Sequence, residues 1–128
     1  ALGALGAEGL EIMHSEREQA TGLTRAHLTV ALAYAGDNDV LAEVRNLLQH
    51  QDPVIRMDAA RALGERQDAE AVPGLKEALG DDYHVSARDH LGGYELYPVR
   101  EQAAGALRKL GFQVNRLKDG GFVVEEAE

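Results

Sequence analysis

Residues 52–82 repeat residues 21–51 at a shift of 31 positions. Arg25 falls on Arg56, Ala31 on Ala62, Leu32 on Leu63 and Asp37 on Asp68. Val44 falls on Leu75 and Leu48 on Leu79. A third copy begins near Tyr97, where Arg100, Ala103, Ala104 and Leu107 match Arg56, Ala59, Ala60 and Leu63 at an offset of 44. A fixed period in this range signals a stacked array, because one unit cannot bury its own apolar face.

Each copy reads as two antiparallel helices of about 12 residues, A and B, joined by a tight turn. In the second copy Asp52 is the N-cap of helix A and Pro53 takes the first helical position, where a missing N–H costs nothing. Ile55, Ala59, Ala60 and Leu63 recur at helical spacing, and Gly64 is expected to stop the helix near Arg66. Asp68 then caps helix B, with Pro73 in its first turn and Val72, Leu75 and Leu79 as its apolar stripe, ending at Gly80. Repeat one gives helix A over about 22–35 (Leu23, Leu28, Leu32) and helix B over about 39–50 (Leu41, Val44, Leu47, Leu48). Leu10 and Met13 place another helix over about 7–18, and repeat three gives one over about 98–110.

Two segments break the period. Between repeats two and three the offset grows from 31 to 44, an insertion of about 13 residues centred on 83–97. Its ends alternate in a strand-like way, and Gly92-Gly93 suggests a turn. After 111, Phe112, Val114 and Leu117, then Phe122 and Val124, flank Lys118-Asp119-Gly120-Gly121, the pattern of a β-hairpin. A lone hairpin is marginal in water, so this one is expected to pack on the last helix or to pair with the insert, the favoured arrangement being one small sheet. The final EEAE is expected to fray.

The organisation predicted is therefore one domain over 1–128. It holds a truncated unit (1–20), repeats at 21–51 and 52–82, the insert (83–97), a partial repeat (98–111) and a hairpin cap (112–128). ALG at 1–3 matches ALG at 62–64, which suggests a chain beginning inside a longer array. The apolar helix face of the truncated unit then offers a route to self-association.

The formal net charge is −9, from 22 acidic and 13 basic residues. That balance argues against general nucleic-acid binding, which needs Lys and Arg to displace phosphate counterions. It argues equally against an anionic membrane surface, while leaving a basic protein partner open. No apolar run approaches the roughly 18 residues of a membrane span, and the start lacks a basic signal-peptide region. A cytoplasmic setting is the expectation. There is no cysteine, so disulfides, thiolate metal sites and a Cys nucleophile are excluded.

The residues of repeat two, from Asp52, Pro53, Ile55 and Arg56 through Ala59, Ala60, Ala62, Leu63 and Gly64 to Asp68, Ala71, Val72, Pro73, Leu75 and Leu79, resemble the bacterial HEAT-like repeats of the phycobilisome-lyase type. Repeat one keeps Arg25, Ala31, Leu32 and Asp37 of the pattern, and repeat three fits in its first helix. The resemblance covers roughly 21–82 and 98–111. It implies an all-α solenoid of antiparallel helix pairs. Such repeats serve as scaffolds, as chromophore-lyase subunits and as hydroxylase frames.

HEAT-like hydroxylases hold iron with His-Glu pairs, and no His-Glu dipeptide occurs among His14, His27, His50, His84 and His90. Neither a metal nor another cofactor is expected. A nucleophile elbow, a phosphate-binding glycine loop and a paired-carboxylate motif are all missing, so no catalytic residue is assigned. Arg25, Arg56 and Arg100, recurring near Asp37 and Asp68, predict a ladder of charge-assisted bonds between units.

The insert concentrates Tyr83, Tyr94 and Tyr97 with His84, Arg88 and His90, residue types favoured where proteins dock. Arg45 and Gln49 on one helix B, with Lys76 on the next, mark a second candidate surface. The function expected is a protein–protein interaction scaffold with an unidentified protein partner. The alternative is a lyase-like subunit that holds a tetrapyrrole for transfer. There Arg88 and Arg100 would pair with the propionates and the three tyrosines would flank the rings.

Overall fold

The computed structural model describes residues 7–125. The chain runs α1 (Ala7–Gln19), α2 (Gly22–Tyr34), α3 (Leu41–Leu47), α4 (Pro53–Glu65), a 3-10 turn (Ala69–Ala71), α5 (Val72–Ala78), β1 (Val85–Asp89), β2 (Gly92–Leu96), α6 (Pro98–Lys109), β3 (Gln113–Arg116) and β4 (Phe122–Glu125). The A helices of the three repeats are α2, α4 and α6. The match of residues 1–3 to 62–64 and the end of EEAE lie outside the described residues.

One turn closes all three A helices. Gly36, Gln67 and Gly111 take left-handed backbone, with φ of 101°, 50° and 100°. Each lets the next amide reach back five residues: Asp37 to the carbonyl of Leu32, Asp68 to Leu63 and Phe112 to Leu107, all at 3.0 Å. That closure satisfies carbonyls that a helix end leaves bare. Gly64, expected to stop α4, lies inside it instead and is fully packed. Its bare Cα faces Ala106 of α6, and the stop falls three residues later at Gln67.

The B helices are shorter than expected, with seven residues each. Before α5, Asp68 accepts from the Glu70 amide at 3.3 Å and the chain makes a 3-10 turn. After α3, the amides of Leu48, Gln49 and His50 bond carbonyls three residues back. Such tightening at helix ends shortens the regular α segment.

The core is small-residue-rich. Leu32, Ile55, Leu63, Leu75, Leu107, Val40, Val44 and Val99 are fully buried among Ala33, Ala59, Ala60, Ala62, Ala103 and Ala104. Each large aliphatic contributes about 1.5–3 kcal/mol on burial, and the alanines let the A helices approach closely. On α2 the buried face is Ala26, Thr29, Val30, Leu32 and Ala33. Leu23, expected on that stripe, is 47% exposed.

The two irregular segments do not share a sheet. β1 pairs with β2 and β3 pairs with β4, giving two separate antiparallel hairpins. Each segment carries its own turn, and local closure costs less chain entropy than pairing across α6. In the insert the turn is His90-Leu91, where Asp89 Oδ1 accepts from the Leu91 amide at 2.8 Å. Gly92, expected in the turn, opens β2. The C-terminal hairpin packs on the core through Val114, Phe112, Phe122 and Val124. Arg108 on α6 anchors it by donating from Nε (3.2 Å) and an Nη (2.7 Å) to the Val114 carbonyl.

Candidate protein-binding surface

The recurring arginines do recur in role, but not with the expected partners. Each sits near the start of an A helix and donates to carbonyls at the end of the preceding helix. Arg25 reaches the Arg17 carbonyl (3.1 Å), Arg56 the His50 carbonyl (2.7 Å) and Arg100 the Asp81 carbonyl (2.7 Å). Arg25 and Arg56 add carboxylates: Glu43 for Arg25 (3.0 Å), and both Asp81 oxygens for Arg56 (2.8 and 3.2 Å). They do not meet Asp37 and Asp68. Those lie beyond the far end of the A helix, about 18 Å away at 1.5 Å per residue.

Asp37 and Asp68 belong to a different series. Asp37 pairs with His14 of α1, and Arg45 Nε of α3 donates to Asp68 Oδ2 at 2.7 Å. His14 and Arg45 are themselves 31 apart, so the contact repeats from each B-type helix to the next A–B turn. One unit on, Lys76 lies 5.2 Å from the centre of the Phe112 ring, which stands where the aspartate stood. The hydrogen bond to Asp68 raises the pKa of Arg45 further above its ordinary value.

A half-buried polar cluster links α1, α2 and α3. Arg17 donates to Thr29 Oγ1 (2.9 Å) and to Glu43 Oε1 (2.8 Å), and the Thr29 hydroxyl donates to Glu43 Oε2 (2.6 Å). Thr29 is fully buried. Burial pushes the Glu43 carboxyl up, but the hydrogen bonds from Thr29 and Arg25 and the charges of Arg17 and Arg25 prevail and lower it. None of these three was singled out from the sequence. The signal was in the repeat alignment: one unit on, the positions are Leu48, Ala60 and Gly74, an apolar set.

The B side of the array carries an open groove of about 730 Å³ between α3 and α5. Arg45, Gln49 and Tyr83 of the predicted set all line it. Lys76 does not; it lines a second hollow with Arg100, Phe122 and Val124 beside the C-terminal hairpin.

The rest of the predicted set lies on and around the insert hairpin. Val85 faces Leu96 and Ala87 faces Tyr94 across the ladder, so these four share one face. Val85, Tyr94 and Leu96 are 37%, 44% and 42% exposed, and Leu91 at the tip is 84% exposed. His84, Arg88 and His90 are also exposed. Tyr97 has a structural place: the Arg100 guanidinium stacks 3.9 Å from its ring centre and Gly120 lies against its edge. Arg100, the propionate partner of the tetrapyrrole alternative, also donates to the Gly120 carbonyl at 2.9 Å. Tyr83 packs partly on the core. On the first unit, Ile12 is 59% exposed while Met13 turns inward. Among the described residues no group of three or more histidines and carboxylates could hold a metal ion, and no helix is long and apolar enough to cross a membrane.

The family profile described as HEAT repeats matches residues 10–91. The chain belongs to the HEAT-repeat family. HEAT repeats generally serve as protein-interaction scaffolds. The match takes in α1 to α5 and reaches the tip of the insert; α6 extends the HEAT pattern beyond it, sharing the closing turn and the arginine role. No curated protein and no solved structure matches the chain.

Proposed function

We propose that this HEAT module is a docking scaffold without chemistry of its own, and that the insert hairpin is its main recognition element. The observation that carries this reading is the apolar hairpin face that Val85, Tyr94 and Leu96 share with the half-exposed Ala87, continued by Leu91 at the tip, which gathers exposed apolar side chains onto one short element. Isolated two-stranded hairpins are marginally stable in water. A partner that covers this face stabilises the hairpin and removes apolar surface in one step. Both strands also offer a free edge for an added strand. Arg88, His84 and His90 supply polar contacts around the apolar centre. The helical array is the rigid mount, and the C-terminal hairpin covers its last A helix.

The test is a paired capture from extract of the source organism, read by mass spectrometry. One bait is the intact chain; in the other a short Gly/Ser linker replaces residues 84–95. A partner retained by the first and lost by the second supports the reading. Equal retention moves recognition to the helical surface and removes the hairpin from it.

A further inference from the structure

We propose that the groove between α3 and α5 seats an extended, Lys- or Arg-bearing peptide segment of the protein partner; this deepens the scaffold reading and rests on it. The groove's charges decide the occupant. Both of its cations are neutralised from within: Arg45 by Asp68 at 2.7 Å and Glu70 at 3.3 Å, Arg56 by the two oxygens of Asp81. Arg56 spends a further nitrogen on the His50 and Gln51 carbonyls. Each guanidinium charge is thus already matched by carboxylate within the protein.

The carboxylates are not balanced in the same way. Glu77 is exposed and has no side-chain partner among the described residues. The Asp82 side chain is fully exposed, and among the described residues its carboxylate meets only Arg100, at 4.0 Å. The groove therefore presents uncompensated negative charge, within a chain whose net charge is −9. Opposite charge across an interface steers encounter and fixes register.

The floor suits an extended backbone. Leu48 and Ala78 are buried beneath it, and Gly74 stands where repeat one has Glu43. A Cβ on Gly74 would come 2.9 Å from Leu48 Cδ1, so this stretch of floor is closed by packing and carries no side chain into the groove. The groove ends at Tyr83, two residues before β1 begins. A segment lying in it continues directly onto the insert hairpin, making one surface of the two.

The experiment is fluorescence anisotropy with a short labelled peptide of alternating Lys and Ala, against one of alternating Glu and Ala. It uses the intact chain, Glu77→Gln with Asp82→Asn, and a control pair, Glu16→Gln with Glu18→Gln, on the exposed side of α1. All four side chains are exposed, so circular dichroism should show every variant folded. The basic peptide should bind the intact chain with saturation. The groove pair should weaken it about tenfold, and the control pair less than about threefold, because exposed charges beyond a Debye length are screened. Equal weakening by both pairs, equal binding of the acidic peptide, or no binding of the basic one overturns the assignment. If the peptide test fails while hairpin-dependent capture persists, only the groove assignment falls. If both fail, the scaffold reading falls with it.

Discussion

Gly64 of α4 lies so near Ala106 of α6 that a Cβ on the glycine would sit 2.7 Å from the Ala106 Cα and 2.8 Å from its Cβ. The obstacle is backbone, so relief requires moving a helix. Gly64→Ala gains about 1 kcal/mol of helix propensity and meets an overpacking cost of about 1–3 kcal/mol. The expected result is net destabilisation in urea unfolding. Gly105→Ala on α6, where a new Cβ meets nothing within 4 Å, should gain up to about 1 kcal/mol. A Gly64→Ala chain that unfolds at the wild-type midpoint would refute the close approach.

The three closing turns carry glycine, glutamine and glycine at one geometric position. Gln67 holds φ of 50° with a side chain that favours negative φ. Left-handed backbone costs an L-residue about 1–2 kcal/mol. Gln67→Gly should therefore raise thermal stability, by up to about 1 kcal/mol after the greater freedom of glycine in the unfolded chain is counted. Gly36→Ala and Gly111→Ala should do the reverse. Opposite signs would mean that the turns are held by tertiary packing rather than by local backbone preference.

Glu43 makes the first repeat sensitive to acid. Its folded carboxyl titrates below the ordinary value of 4.5: burial opposes this, and bonding to Thr29 and Arg25 with the charge of Arg17 outweighs burial. The unfolded chain thus binds a proton at a pH where the folded chain does not. The contribution to stability is complete above about pH 4.5 and is lost as pH falls through the lower folded value. Urea midpoints measured at decreasing pH should show wild type above Glu43→Gln at neutrality, with the gap closing in acid. A gap that stays constant with pH would rule out this linkage.

The same cluster tests whether a polar triad and an apolar triad are interchangeable in one repeat position. Glu43→Ala leaves Arg17 and Thr29 short of partners in a half-buried site and should cost about 2–3 kcal/mol. Arg17→Leu, Thr29→Ala and Glu43→Gly together rebuild the set Leu48, Ala60 and Gly74 of the next unit. The triple variant should lose less than the single one, since buried polar groups are costly mainly when half satisfied. A triple variant less stable than Glu43→Ala would show that the repeats differ in backbone spacing as well as in side chains.

Much of this was legible from period and capping. Asp52 and Pro53 start α4 where the sequence placed them, and every A helix falls within a residue or so of its expected span. Identical turns and identical small residues are signals that survive translation by a fixed offset. Side-chain partners are not. Arg56 and Asp68 recur together in sequence, yet a whole helix separates them in space; Arg56 instead meets Asp81 at the far end of its own unit, and Asp68 meets Arg45 of the preceding one. The pairing of the two hairpins was misjudged because alternation identifies strands without saying which edge each one meets. The role of Gly64 was hidden for a related reason: a glycine near a helix end looks like a stop, and only the position of α6 shows it to be a contact.

The insert hairpin should be dispensable for folding while its feet are not. Both faces of the hairpin are exposed, so replacing residues 84–95 with a short Gly/Ser linker removes little buried surface. Loop length enters only logarithmically, changing closure by a fraction of a kcal/mol. Tyr97 is different. It stacks with Arg100 at 3.9 Å and supports Gly120, so it ties α6 to the turn of the C-terminal hairpin. Tyr97→Ala should cost about 1–3 kcal/mol, with the linker variant close to wild type. Thermal unfolding of the two side by side checks this. A linker variant that melts earlier than Tyr97→Ala would mean that the hairpin supports the array itself, and its apolar face would no longer require a partner to explain it.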